Sequence, residues 1–356
     1  GGVSVQAAVL APGIGRFVVP ATRPRRDPHL PISLRLSDRP LVAPGEHVEL
    51  GQLLVERFRE QEVVEVTTTA AIIGLRPGAI LDLPPTAARG RRSARTGTAA
   101  VKARLIEHGR DGVSRFAAGR EELNVIAPAS GTIVGLTPGR LDLRCEGVGI
   151  EGLIGWGRPA SGRVVIAASG PDAETRASGI DVAVAGAILV VGARIDIEAL
   201  SRARALGVGA IVVGGIAGRD MRQLEESEAR RQAALHAAAP FAMLVIGGHG
   251  RTPIAGHVWD LLVAAEGRPA GVLPSARMLV IGGDPEPLLA ASARPPGTVR
   301  IVSGEWRERE GRLVGLTGPR RWGDGGYQPG GFVEVAGDGG RTERVSLPLA
   351  ILERLA

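Results

Sequence analysis

The middle of the chain alternates short, continuous apolar runs with segments of helical periodicity. The run AILVV (187–191) precedes IEALSRARAL (197–206), whose apolar residues recur at helical spacing, and the apolar run GAIVVGGI (209–216) follows. Strands that are apolar throughout, without alternation, are typical of parallel sheets that helices cover on both faces. This order of elements predicts an α/β domain with parallel strands over residues 169–286.

Capping residues support the helices of this domain. Asp196 stands directly before 197–206, where an N-cap is preferred, and Gly207 stands where that helix would end. Similar signals predict the elements that follow, which are a charged helix over about 219–238, a strand over 241–247, a helix over 253–267 and a strand over 277–283.

Both flanks of the α/β domain are predicted to be all-β. Toward the N-terminus runs such as ISLRLS and VVEVTTT alternate with turns, and toward the C-terminus glycine turns separate TVRIVSG, GRLVGLTG, GFVEVAG and ERVSLPLAILERL. The 52 glycines and 25 prolines, against 3% aromatic residues, fit many tight turns between short strands. We predict a mixed α/β and all-β multidomain chain, with a β-rich domain over 1–168 and a small β-barrel over 287–356.

Hydropathy and cysteine content restrict the environment of the chain. No window supplies about 18 uninterrupted apolar residues, so we expect no membrane span. The single cysteine, Cys145, cannot form an intrachain disulfide, so a reducing cytoplasm is the expected location. We interpret Cys145 as a small core residue rather than a nucleophile.

Two segments of the N-terminal domain combine a glycine turn with a short apolar strand. They are PGEHVELGQLLVE (44–56) and VIAPASGTIVGL (125–136), in which Gly51 and Gly131 permit tight turns. The pair resembles the two half-motifs of the barrel-sandwich hybrid of biotinyl and lipoyl carriers. This resemblance implies that the two segments pair in one small sandwich.

The modified lysine of such carriers has no counterpart in this chain. Neither segment contains a lysine, and Lys102, the only lysine, lies in a basic segment without a hairpin pattern. We therefore expect no covalent prosthetic group and no other cofactor. A lysine-free domain of this kind is expected to be a structural or interaction module.

The order of the three regions is similar to an uncharacterised family of bacterial proteins. That family joins a lipoyl-like region, a central α/β region and a C-terminal KOW/SH3-like barrel. The segment SLPLAILERL (346–355) resembles the end of such a barrel, with Ile351 in place of the usual asparagine. The resemblance implies the architecture and supplies no established reaction.

Two glycine-rich turns in the α/β domain form the candidate ligand site. They lie in VVGGIAGRD (212–220) and LVIGGHGRTPIAGHVWDLL (244–262), each after an apolar strand. Free backbone N–H groups at such turns bind anions, and the carboxyl ends of neighbouring parallel strands share one crevice. No Gly-Lys-Ser/Thr follows, so neither is a Walker loop. The candidate ligand-binding residues are Gly214, Gly215, Gly247, Gly248, His249, Gly250, Arg251 and Thr252.

The six histidines show no ligand pattern. None belongs to a His-x-x-x-His or Cys/His cluster, so no metal site is predicted. His249 has no serine, cysteine or carboxylate beside it in the sequence. We therefore interpret it as a solvated loop residue rather than a general base, and we predict no catalytic residue.

A basic segment carries the excess positive charge. Residues 86–120 hold nine basic side chains against two carboxylates, a sum of +7, whereas the whole chain has a net charge of +6. We predict an insertion or exposed loop over 82–122, in which 99–109 is the candidate for a short helix. It is interpreted either as a solvated loop or as a contact for nucleic acid or another acidic partner. The candidate contacts are Arg89, Arg91, Arg92, Arg95, Lys102 and Arg104.

Three functions fit these observations. The first, which we favour, is a non-catalytic scaffold or interaction protein with a protein partner and a small anionic ligand in the α/β domain. The second is a nucleic-acid- or ribonucleoprotein-associated factor that uses the basic segment and the KOW-like barrel. The third is an enzyme acting on a phosphorylated or carboxylated metabolite at the glycine turns.

Overall fold

The computed structural model of the chain describes residues 23–35, 38–83, 101–109, 112–122, 124–180, 184–233, 241–323, 326–337 and 341–355. Within these ranges the strands form one large mixed sheet and four small sheets. The helices within the same ranges include none that is long and apolar enough to cross a membrane.

The N-terminal elements are almost all strands. They are β1 (Arg25–Arg26), β2 (His29–Ser33), β3 (Arg39–Pro40), β4 (His47–Val48), β5 (Leu53–Glu56), β6 (Phe58–Thr67), the short helix α1 (Ala70–Ile73), β7 (Ile80–Leu83), β8 (Val101–His108), β9 (Val113–Glu122), β10 (Val125–Ile126), β11 (Gly131–Thr137) and β12 (Arg140–Cys145).

The two segments with glycine turns pair with each other. Val48 of β4 lies opposite Gly131 of β11, and Val55 of β5 lies opposite Val125 of β10. The segments thereby enter two small sheets, with the strand orders β10-β5-β3 and β2-β12-β11-β4. Side chains from both sheets share one buried core. The alternation along each strand places its apolar residues on the face that this core covers.

The basic segment belongs to a separate four-stranded sheet. We call this sheet, made of β6, β9, β8 and β7 in that order, the inserted sheet. The short helix expected over 99–109 is wrong, because Val101–His108 is a strand in which Ala103 and Leu105 are fully buried. A period of two puts both side chains on the same face, so packing against Phe116 decides the structure. The prediction of a loop is also wrong for the described residues of 101–122.

The central elements combine strands with helices. They are β13 (Val148–Glu151), β14 (Ile154–Gly157), β15 (Ala160–Ile166), β16 (Glu174–Thr175), β17 (Ile188–Ile195), α2 (Ile197–Ala205), β18 (Ala210–Ile216), α3 (Gly218–Ala233), β19 (Ala242–His249), α4 (Gly256–Ala264), β20 (Pro269–Leu273) and β21 (Met278–Ile281).

The large sheet is mixed rather than wholly parallel. The strands β15, β17, β18 and β19 are parallel neighbours in that order, and β16 lies parallel to the end of β17. Antiparallel strands extend both sides, with β14 next to β19 and the series β20, β21, β13 and β1 beyond β15. The predicted domain boundary at 168 therefore falls within this sheet. Of these antiparallel pairs, β20 and β21 are joined by a short connection, whereas β14 and β13 pair with β19 and β21, strands distant in the sequence.

Helices cover both faces of the parallel strands. Helices α2 and α3 pack on one face, where Leu200 and Leu224 share a buried core with Val191. Helix α4 packs on the opposite face, where Leu261 shares a second buried core with Val190. Burial on both faces explains the consecutive apolar residues in the middle of β17, β18 and β19. The predicted cap of α2 is confirmed, since the Asp196 carboxylate accepts a 2.7 Å hydrogen bond from the Ala199 N–H.

The C-terminal elements form a five-stranded antiparallel sheet with its own core. The elements after β21 are α5 (Pro285–Ser292), β22 (Thr298–Ile301), β23 (Glu310–Arg321), β24 (Tyr327–Ala336), β25 (Thr342–Pro348) and β26 (Leu352–Arg354). The sheet has the order β25-β24-β23-β22-β26, and its core includes Val299, Leu313 and Val333. The strands expected in this region are therefore confirmed.

Candidate functional site

The two glycine turns lie side by side, as their places after parallel strands predict. Gly215 of β18 is paired with Gly248 of β19, and Ile216 is paired with His249. The carboxyl ends of the two strands therefore meet at one edge of the sheet.

Backbone donors of the second turn are already bonded within the protein. The Gly250 N–H donates to the Ile216 carbonyl at 2.8 Å, and the Thr252 N–H donates to the Ala193 carbonyl at 3.1 Å. The Ile254 N–H donates to Pro171 at 3.0 Å in the same way. The chain from 250 to 254 thus runs back across the strand ends, and these N–H groups do not face a ligand.

Close backbone packing explains the glycines of the first turn. A Cβ atom at Gly214 would lie 1.9 Å from the Thr252 carbonyl oxygen, and one at Gly215 would lie 2.3 Å from the Gly250 carbonyl oxygen. No real Cβ atom tolerates such distances. The glycines let the returning chain lie against β18, and the same packing delays the start of α4 to Gly256, three residues after the predicted position.

A polar cavity of about 250 Å³ lies next to these turns, at the carboxyl end of β17. Strand β16 positions one side of it, because Glu174 pairs with Arg194 and Thr175 pairs with Ile195 in the β16–β17 ladder. Helix α3 closes another side through Arg219, the second residue of the helix. The lining residues are Glu174, Thr175, Arg176, Arg194, Asp196 and Arg219.

Two side chains that line this cavity each carry a buried donor without a hydrogen-bond partner among the described residues. Thr175 is 5% exposed, and its Oγ1 atom makes no hydrogen bond to any of them. The Nε atom of Arg194 is also buried and also makes no hydrogen bond to any described residue. Buried polar atoms are paired in the great majority of cases, because an unpaired one costs roughly 1–3 kcal/mol. A bound ligand that accepts both hydrogen bonds would remove this cost.

Ion pairs hold the Arg194 guanidinium in place. Its Nη2 lies 3.5 Å from Oδ2 of Asp220, a residue that is 3% exposed, and its Nη1 lies 3.9 Å from Oε1 of Glu174. Arg219 also approaches Asp220, at 3.5 Å from Nε to Oδ1. Asp196 is engaged as the cap of α2. The lining therefore contains three arginines and two carboxylates, a formal charge of +1.

None of the residues predicted for the ligand site is among the described residues that line this cavity. Arg251 is the closest link, since its Nε lies 3.6 Å from Oε1 of Glu174 and its Nη2 donates to the Asp172 carbonyl at 2.8 Å. Sequence reasoning missed Thr175 and Arg194. A usable signal was Arg194 itself, a charged side chain at the end of the apolar strand β17.

The predicted basic contacts are only partly within the described residues. Lys102 and Arg104 lie on β8 of the inserted sheet. The remaining four, Arg89, Arg91, Arg92 and Arg95, lie outside the described ranges.

Cys145 is a core residue, as predicted. It is fully buried in the core that the two small N-terminal sheets share. Burial, and next the negative charge of Asp27, raise the pKa of its thiol to about 12. The thiolate is therefore scarce at neutral pH. Among the described residues no group of three or more histidine, cysteine or carboxylate side chains is arranged to hold a metal ion.

A second surface combines arginine with aromatic rings on the C-terminal sheet. The Arg320 guanidinium lies 3.9 Å from the centre of the Trp322 ring, and the Trp322 Nε1–H donates to the Gln328 carbonyl at 2.9 Å. Tyr327, the residue opposite Arg321 in the β23–β24 ladder, is 76% exposed. Exposed rings beside arginine are the groups on which nucleic-acid bases stack.

Comparison with known proteins adds no family to this description. No protein-family model matches the chain, and no curated protein shows significant sequence similarity to it.

Proposed function

We propose that this protein is a non-catalytic scaffold that binds a small anion in the cavity at the carboxyl end of β17. The observation that carries the proposal is the pair of buried, unpartnered donors, Thr175 Oγ1 and Arg194 Nε, in a cavity that three arginines line. A single anionic group with several oxygens would satisfy both donors at once.

The position of the cavity also supports binding. Ligands of open α/β sheets bind outside the carboxyl ends of the strands, and the cavity lies at that end of β17. Helix α3, of 16 residues, begins beside it, and its N-terminal end adds a favourable field for negative charge. Arginine, threonine and carboxylate side chains form a set suited to hold and orient an anion.

The small sheets would supply the interaction surfaces of the scaffold. We infer that the two N-terminal sheets form a barrel-sandwich hybrid, because their half-motifs pair and share one core. We infer likewise that the C-terminal sheet is a KOW/SH3-like barrel, from its five antiparallel strands. Protein partners would bind to these modules.

A ligand titration tests the proposal. Purified protein would be titrated with inorganic phosphate, glycerol phosphate and citrate at constant ionic strength, with the heat of binding and the unfolding temperature as readouts. A ligand that binds only the folded state raises that temperature. The Thr175→Val variant should lose affinity, since it removes a donor and keeps the shape of the side chain. Arg312→Gln, on the exposed face of β23, should not. Equal affinity in Thr175→Val and wild type would contradict the proposal.

The second candidate function is binding of single-stranded nucleic acid by the C-terminal sheet. The stack of Arg320 on Trp322 and the exposed ring of Tyr327 favour it. The test is a titration with labelled RNA and DNA at several salt concentrations, because phosphate contacts weaken steeply with salt. Tyr327→Ala should weaken binding, and a variant with glutamine in place of the four arginines between 89 and 95 shows whether the basic segment contributes while β8 (Val101–His108) stays complete. Nucleic-acid affinity that is the same in both variants and in the wild type would contradict this candidate function.

A further inference from the structure

The cavity contains a carboxylate that already faces its arginines. Oε1 of Glu174 lies 3.9 Å from Nη1 of Arg194 and 3.6 Å from Nε of Arg251. Both distances exceed those of N–H···O hydrogen bonds, which are about 2.7–3.2 Å. Glu174 thus offsets the positive charge of the two guanidinium groups, while the donors at Arg194 Nε and Thr175 Oγ1 stay unpaired.

We propose that Glu174 is an internal counter-anion of the free protein, and that the ligand is a phosphoryl group whose oxygens displace the Glu174 carboxylate from Arg194. This inference rests on the proposed function, because it concerns the same cavity. Displacement requires the Glu174 side chain to move away from Arg194. Because this side chain is 42% exposed, it can turn into the solvent.

The arrangement of the donors favours a phosphoryl group over a carboxylate. Thr175, Arg194 and Arg219 come from three different elements, β16, β17 and α3, and so surround the cavity. A phosphate monoester presents three strong acceptor oxygens in a tetrahedral arrangement. A carboxylate ligand presents only two oxygens, both in one plane. At Arg194 it would replace the Glu174 carboxylate by a group of the same kind, with no gain in charge or in acceptors.

The rest of the lining restricts the body of the ligand. The six lining residues in the described part of the chain include no aromatic ring, so they offer no surface on which a nucleobase would stack. The volume of about 250 Å³ is below the roughly 300–1,000 Å³ of sites for drug-sized molecules. The chemical class is therefore a small phosphorylated metabolite without a nucleobase.

Calorimetric titration of the full chain with inorganic phosphate and, separately, acetate tests the inference. The variant is Glu174→Gln, which removes the charge and keeps the size of the side chain. The matched control is Glu266→Gln, which removes the same charge from an exposed residue that does not line the cavity. Unfolding temperatures of all three proteins would verify that each is folded.

The expected result is that phosphate binds more tightly to Glu174→Gln by about tenfold, the effect of one charge interaction at a partly exposed site. Glu266→Gln should match the wild type, and acetate should bind more weakly than phosphate. Unchanged phosphate affinity in Glu174→Gln, or equal affinity for acetate and phosphate, would overturn this inference and leave the proposed function standing. Absence of any anion binding in all three proteins would overturn both.

Discussion

Arg194 reaches the buried carboxylate of Asp220 across the carboxyl ends of β17 and β18, with Nη2 3.5 Å from Oδ2. The two residues lie 26 positions apart in the sequence, on β17 and in the first turn of α3. Their pairing holds the guanidinium at the wall of the cavity, while its buried Nε makes no hydrogen bond to any described residue. We therefore expect the Arg194–Asp220 pair to affect the stability of the fold and Arg194 Nε to affect anion affinity. Separate variants can measure the two effects.

Removing the charge of Asp220 should destabilise the protein. In Asp220→Asn the Arg194 guanidinium loses its buried partner, and we expect the free energy of unfolding to fall by about 1–3 kcal/mol. Urea unfolding followed by circular dichroism measures this. Glu225→Gln, an exposed position on the same helix, should stay within about 0.5 kcal/mol of the wild type. Equal stability of the two variants would show that the pair contributes nothing.

Replacing Thr175 by valine should leave the free protein as stable as before, or more stable by up to about 1 kcal/mol. The Oγ1 hydroxyl is buried without a partner, so a methyl group in its place removes a desolvation cost. The measurement is urea unfolding without added anions. Phosphate should stabilise the wild type more than the variant, because only the wild type gains the hydrogen bond. A loss of more than about 1 kcal/mol without ligand would mean that the hydroxyl has a structural partner.

Adding a methyl group at Gly214 should be strongly destabilising. The new Cβ would lie 1.9 Å from the Thr252 carbonyl oxygen, and both atoms belong to backbone that cannot shift easily. We expect Gly214→Ala to lower the free energy of unfolding by at least about 2 kcal/mol. Gly74→Ala is the control, since a Cβ there meets no atom within 4 Å and its φ of −80° suits alanine. A tolerated alanine at 214 would contradict the close packing of 250–254.

Local patterns along the chain predicted the parallel strands and the cap of α2. The apolar runs of β17 and β18 and the position of Asp196 depend on neighbours in sequence, so periodicity detects them. The pairing of β4 with β11 followed from the two glycine-turn segments. The placement of β13 beside β21 did not, because about 130 residues separate Ile150 from Leu279, which lie opposite each other. Such pairing is decided by packing of the whole sheet.

The sequence placed the candidate site at the carboxyl ends of the parallel strands, the edge of the sheet where the cavity lies, but on residues other than those that line it. The sequence pattern did not indicate Thr175, because β16 has only two residues and no apolar pattern. It indicated the glycines instead, although close packing explains Gly214 and Gly215. In the segment 99–109 the sequence pattern predicted a helix. The two buried residues that mark it as a strand, Ala103 and Leu105, are too few for a period of two to be recognised in the sequence.

Because of Glu353, the free energy of unfolding should decrease as the pH rises above about 4.5, the ordinary pKa of a glutamate side chain. Burial is the main cause that raises the pKa of this carboxyl group above 4.5, and Arg300 opposes the shift only in part. The folded state therefore holds the proton more firmly than the unfolded state, so deprotonation above about pH 4.5 disfavours folding. We expect the stability of Glu353→Gln relative to wild type to increase between pH 4 and pH 7, as measured by urea unfolding at several pH values. A constant difference would show that Glu353 titrates normally.

The inserted sheet should be removable without unfolding the rest of the chain. Phe58 and Glu122 lie opposite each other at its base, and the adjoining Arg57 N–H donates to Oδ1 of Asn124 at 3.3 Å. Replacing 59–121 by Asn-Gly would close this strand pair with a two-residue hairpin turn. Among the described residues, the buried core of the inserted sheet, which includes Phe116, draws on residues between 64 and 116, and none of these belongs to the other cores.

The shortened chain should keep the cooperative unfolding transition of the remaining sheets and the phosphate affinity of the full chain. Phe116→Ala in the full chain is the companion variant, and it should cost the inserted sheet roughly 3–5 kcal/mol without changing phosphate binding. Amide hydrogen exchange would locate the loss of protection within 58–122. If the shortened chain aggregates or loses more than about 2 kcal/mol in that transition, the inserted sheet is part of the common fold, because independent units do not share stability.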